Sequence, residues 1–208
     1  MINNILICLS KTAIVDTIIR YLFAIDSKSR WFLLHSIGNI WCISSCYKEI
    51  LTGFIHPEKL YITPTTFEGY HITIALHAYH CIAYKLSKDD IFHHVVFIIF
   101  GAVYTILTQP YIASSLPLLT LNGIPGAIDY ALLFMVKQRI IEKSTEKYAN
   151  AILNSWFRNP VTLFIVGMGY CGILQNSRWE CIPCLLIAVF NAIYFSNQAI
   201  INYTKYTM

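Results

Sequence analysis

Charge is what this sequence has least of. Asp, Glu, Lys and Arg make up 12% of the 208 residues, about half the share of a soluble domain. So few charges cannot coat a globular surface of this size, so lipid must be part of the solvent. A basic patch is missing as well. The net charge of +4 is scattered between apolar runs, which excludes a nucleic-acid partner. The opening stretch, MINNILICLSKTAIVDTIIRYLFAI, has no basic leader and no small-residue cleavage site, so it is not read as a signal peptide. No repeat, low-complexity tract or long linker divides the chain. A paired disulfide framework is also lacking, because the seven cysteines are an odd number. Cys42 and Cys46 fall in an apolar run, where cysteine packs as a small hydrophobe. Cys181 and Cys184 form a CxxC without a βαβ context, read as a turn with packing.

What is present is hydrophobicity, at 56% of residues. Apolar runs of spanning length fall at about 32–52, 70–86, 91–109, 125–141, 160–176 and 183–203. They predict an all-α fold: a polytopic transmembrane helical bundle of six spans. Residues 1–30 form an N-terminal amphipathic segment and 31–208 the transmembrane domain. Thr12, Asp16 and Arg20 line one stripe of a helix expected to lie on the membrane, with an Asp16–Arg20 pair. A seventh span is the alternative. Residues 144–158 read as an interfacial helix, with Tyr148, Ile152 and Trp156 on one face and Glu146, Lys147, Asn150 and Asn154 on the other.

Positive charge sets the orientation. If 110–124 does not cross separately, twelve of the fifteen Lys and Arg fall on one side, against Lys48, Lys59 and Arg178 on the other. If it crosses, the division is seven against eight and the signal vanishes. Both termini are therefore expected in the cytosol, with 110–124 a re-entrant or lumen-side half-helix.

The ionisable residues inside the spans are the functional candidates, because charge in lipid is costly. His77, His80 and Tyr84 share a helical face, and His71 points elsewhere. Asp89 precedes His93, and Asp90 precedes His94, each by four residues. At that spacing a carboxylate can orient an imidazole as a general base. At 1.5 Å per residue, His80 would sit about 9 Å and His93 about 5 Å from the cytosolic surface. His35 and Asn39 in the first span, and Asp129 and Lys137 in the fourth, add polar groups. The plainer readings are interhelical hydrogen bonding for His35, His71 and Asn39, snorkelling for Lys137, and capping for Asp89 and Asp90.

Three pieces, RWFLLHSIGN, HAYHCIAYKLSKDDIFHHVVF and GIPGAIDYALLFMVK, resemble the TLC-domain membrane family that includes the ceramide synthases. The resemblance runs from about Arg30 to the end and implies a multi-spanning protein of the endoplasmic reticulum or a related membrane. It further implies acyl transfer from acyl-CoA, as co-substrate, to a lipid amine or hydroxyl. His93 and His94 would be the essential pair, supported by Asp90 and Asp89. His77, His80, Tyr84, Asp129, Lys137 and His35 would form the substrate site, with membrane lipids as partners and no metal or resident cofactor. The acidic cluster of the ceramide synthases is richer than here, where Asp129 has no second acid on its helix. A non-catalytic lipid sensor, regulator or trafficking adaptor is the alternative. The HxxH and HH motifs also resemble the histidine boxes of di-iron desaturases, but those use about eight spaced histidines and this chain has seven.

Overall fold

The computed structural model describes residues 1–207. Apart from one isolated bridge between Pro64 and Tyr111, the described residues form helices and turns. Helix α1 spans Ile2–Phe23, α2 Ser27–Ile55, α3 Glu68–Ala83, α4 Lys88–Thr108, α5 Ile124–Lys137, α6 Lys143–Asn176 and α7 Ile182–Thr207. Four segments are long and apolar enough to cross a membrane: Lys88–Thr108, Ile112–Lys137, Lys143–Asn176 and Trp179–Tyr206.

The distribution of side chains is inverted relative to a water-soluble fold. Ile14, Ile18, Ile40, Leu51, Phe100, Leu163 and Leu186 are exposed, while His35, Asn39, His77, Asn154 and Arg158 are buried. Apolar surface outside and polar groups inside is the arrangement that lipid solvent requires.

Local chemistry sets the helix limits. Asp26 caps α2 by accepting from the amides of Lys28 (2.9 Å) and Ser29 (3.1 Å) and from the Ser29 hydroxyl. That hydroxyl, with the two amides, holds the Asp26 carboxyl below the usual carboxylate range. Ser87 and Asp90 open α4 with a reciprocal capping box. Left-handed residues Ala24 and Ser177 end α1 and α6. Pro160 has no N–H to give the preceding turn, and the backbone widens to π geometry over Asn154–Arg158 just before it. Similar π stretches cover His94–Val103 and Leu119–Gly123.

Helix α1 packs lengthwise and antiparallel along α2. Ile19 joins Trp31 and Leu34 in one cluster, Lys11 lies 5.7 Å from the Trp41 ring, and Cys8 packs against the cluster that holds Cys42 and Cys46. Thr12 and Asp16 of its polar stripe are buried against the bundle while Arg20 is exposed, and Asp16 pairs with Arg30 at 2.8 Å, not with Arg20. Arg30 wins because burial beside α3 adds the Tyr79 and Tyr84 hydroxyls as further donors to the same carboxylate.

Residues 110–114 dock on the 60–65 loop, with Thr65 N donating to Pro110 O at 3.1 Å and Ile112 N to Thr63 O at 2.9 Å. The chain then enters the bundle, burying Ser115, Leu116 and Thr120. It continues through the π turn into α5, so this stretch and α5 belong to one apolar segment, Ile112–Lys137. Helices α2 and α5 approach closely at Gly126, where a Cβ would lie 2.6 Å from Asn39 Nδ2. All seven cysteines are free thiols.

Candidate functional site: a histidine cluster beside a polar cavity

Four helices bring five histidine-cluster and two aromatic groups together. His35 comes from α2, His77 and His80 from α3, and His93 and His94 from α4. His77 Nε2 lies 3.1 Å from His93 Nε2, and His77 Nδ1 lies 2.7 Å from the Thr73 carbonyl oxygen. His80 Nδ1 lies 3.3 Å from His94 Nε2, and His94 Nδ1 lies 3.2 Å from Cys81 Sγ. Trp31 stacks on His80 with ring centroids 3.7 Å apart, and Tyr130 of α5 stacks on His35 at 3.8 Å. The consecutive pair in α4 is thereby split. His93 turns toward a cavity, and His94 toward Cys81 and His80.

That cavity, of about 350 Å³, is lined by residues of α2, α4, α5, α6 and α7. Its volume is within the usual range for small-molecule sites. His35, Asp89, Asp90, His93 and Asp129 line it. Tyr84 does not, because its hydroxyl is committed to Asp16 at 2.5 Å and contacted by Arg30 Nε at 3.2 Å. His80 and His94 sit behind the wall, and Lys137 is exposed at the end of α5, outside the lining.

The expected support of His93 by Asp89 and of His94 by Asp90 does not form. Asp90 Oδ2 accepts from the Ser87 amide (2.8 Å) and hydroxyl (2.6 Å). The capping box is three residues away and already oriented, so it takes the carboxylate before the imidazole can. The histidines contact one another instead.

Two buried charged residues that line the cavity, Glu146 and Arg158, were not assigned to the site from the sequence. Glu146 has no exposed surface, and its carboxylate lies 3.0 Å from Lys147 Nζ. Arg158 donates through Nε to the Thr120 carbonyl at 3.1 Å and through Nη1 to Asn154 Oδ1 at 2.7 Å. Glu146, Asn150, Asn154 and Arg158 recur every fourth residue and form one ridge of α6 along the cavity. The two faces of 144–158 are those expected, but their directions are reversed: the polar ridge points inward, and Tyr148 and Trp156 point outward. The reason is that α6 is one continuous run of 34 residues whose neighbours supply a polar interior. Glu146 thus provides the second acid near Asp129 that α5 itself lacks.

Among the described residues, no group of three or more His, Cys, Asp or Glu has metal-holding geometry. No family model, curated protein or solved structure matches this chain. The molecule is a multi-span helical membrane protein with a buried histidine cluster, a composition consistent with lipid modification.

Proposed function

We propose that the protein transfers an acyl group from a thioester, such as acyl-CoA, to an amine or hydroxyl of a membrane lipid, with His93 as general base. The carrying observation is the His77–His93 contact of 3.1 Å at the wall of a polar cavity lined by helices with apolar outer faces. The acceptor loses its proton to His93 as its nitrogen or oxygen attacks the thioester carbonyl. The carbon–sulfur bond then breaks, and the leaving thiolate takes that proton back. Arg158 offers positive charge to the developing oxyanion. Asp129 and Glu146 provide carboxylates for the polar end of the acceptor. A positioned base of this kind contributes roughly 10²–10⁴-fold to the rate. This reading agrees with the TLC-family resemblance and with residence in the endoplasmic reticulum or a related membrane.

The lengthwise packing of α1 on α2 supports seven crossings, the alternative to an in-plane N-terminal helix. The N-terminus then faces the lumen with the 56–67 loop, and the C-terminus faces the cytosol. Charge supports this orientation, since Lys48, Lys59 and Arg178 remain alone on the lumenal side. Untargeted lipidomics of cells carrying wild type or His93→Ala tests the function. An acyl-lipid product that disappears with the variant, at equal protein abundance, is the expected result. Matching lipid profiles would remove the catalytic reading and leave a lipid sensor or adaptor.

A further inference from the structure

His77 Nδ1 lies 2.7 Å from the carbonyl oxygen of Thr73, one turn earlier on α3. A carbonyl oxygen only accepts, so Nδ1 carries a hydrogen and donates it. Among the described residues no carboxylate pairs with either His77 or His93. Neither ring therefore has a counter-ion for a positive charge; with His77 buried and His93 half-buried in the bundle, both rest neutral. In neutral His77 the other nitrogen, Nε2, is bare. It faces Nε2 of His93 at 3.1 Å. Two bare nitrogens at that distance would repel, so Nε2 of His93 carries a hydrogen and donates it. Nδ1 of His93 is left with its lone pair. That same nitrogen is buried without a hydrogen-bond partner, on a residue that lines the cavity.

The neighbouring ring differs. Both nitrogens of His94 are engaged, one by His80 and one by Cys81. His94 also lies outside the cavity lining.

Resting on the acyl-transfer reading, we infer that the Thr73 carbonyl and His77 are positioning groups that lock His93 in its Nε2–H form, so that Nδ1 is the nitrogen that receives the acceptor's proton. The lock has a direction. When Nδ1 takes the proton, Nε2–H is still donated to His77, and the ring does not have to turn between uptake of the proton and its release to the leaving thiolate. A His93 in the opposite form would present an N–H to the acceptor and could take no proton there.

The test is nitrogen-15 NMR of the full chain in lipid nanodiscs, with ring-labelled histidine. A coupling across the hydrogen bond between two Nε2 atoms identifies the His77–His93 pair without any variant, since the His80–His94 contact joins Nδ1 to Nε2. The expected spectrum shows hydrogens on His77 Nδ1 and His93 Nε2, with His93 Nδ1 bare. A hydrogen on His93 Nδ1 would overturn the lock, whatever the activity. Kinetics supply the second readout. His77→Phe, which cannot accept, should lower kcat on the order of 10²-fold while KM for the acyl donor stays within about twofold, as expected for loss of a transition-state interaction alone. His77→Gln, whose side-chain carbonyl can accept from Nε2–H, should restore part of kcat. Equal loss in both variants with an unchanged His93 spectrum would overturn the inference. The expected spectrum in a protein that transfers no acyl group would leave the lock standing and remove the acyl-transfer reading.

Discussion

Replacing Asp16 by Ala should loosen the bundle where α1 meets α2 and α3. The Asp16 side chain is 7% exposed and that of its partner Arg30 is 15%. One carboxylate accepts from Arg30 at 2.8 Å, from Tyr79 at 2.8 Å and from Tyr84 at 2.5 Å. Removing one member of a buried ion pair costs about 3–5 kcal/mol, because the remaining charge loses its compensation. Arg30 keeps a contact to the Tyr84 hydroxyl and a cation–π contact at 5.4 Å to its ring, so the lower end, about 3 kcal/mol, is expected. For a chain of this length that corresponds to a fall in Tm on the order of 6–12 °C. The assay is thermal unfolding of purified protein in a fixed detergent, with Arg30→Met and the double variant completing a cycle. The double variant should be more stable than Asp16→Ala alone, since it removes the orphaned guanidinium. A Tm within 1–2 °C of wild type for Asp16→Ala, roughly the size of an exposed-pair effect, would refute the buried clamp.

Three further predictions address capping and topology. Asp26→Ala should cost about 1 kcal/mol through loss of the α2 cap. Because the Asp26 carboxyl is held low in the folded state, its contribution is present above the ordinary carboxylate range and lost as pH falls through the lowered value, so wild type and variant should converge in acid-titrated melts. Asp90→Ala should lower Tm through loss of the Ser87 capping box, again by about 1 kcal/mol, while turnover at saturating substrate stays close to wild type. A large loss of turnover at an unchanged Tm would return Asp90 to a catalytic role. Tags at the N-terminus and near Glu58 should be lumenal, and tags in 138–143 and at the C-terminus cytosolic, by selective permeabilisation; a cytosolic N-terminal tag would restore the in-plane α1.

Much of this architecture is legible in the residues. The apolar runs locate the long helices, and the spacing of His77, His80, His93 and His94 marks the place where α3 and α4 meet. Periodicity identifies a polar face but not which way it points when the outer solvent is lipid. The polar face of Glu146, Lys147, Asn150 and Asn154 is legible in 144–158 as that of an interfacial helix, whereas these residues, joined by Arg158, line the cavity. Local spacing likewise suggested Asp90 as the partner of His94, but sequence distance cannot rank that contact against the nearer Ser87 cap. Tyr84 shares a helical face with His77, yet α1 claims its hydroxyl, a long-range contact that no local pattern carries. The split between His93 and His94 follows from one helical step of about 100° combined with the placement of α3, which only the tertiary structure provides.

The proposed role of His93 as the base for acyl transfer within the cavity is open to direct assay with purified protein in nanodiscs. The reaction is started with an acyl-CoA and a panel of long-chain lipid amines and alcohols, and the product is read by mass spectrometry. Product is expected from wild type, with a loss of roughly 10²–10⁴-fold in His93→Ala and near-wild-type product from His71→Ala, whose ring lies outside the cavity lining. A well-folded His93→Ala that turns over at the wild-type rate would contradict the proposed role.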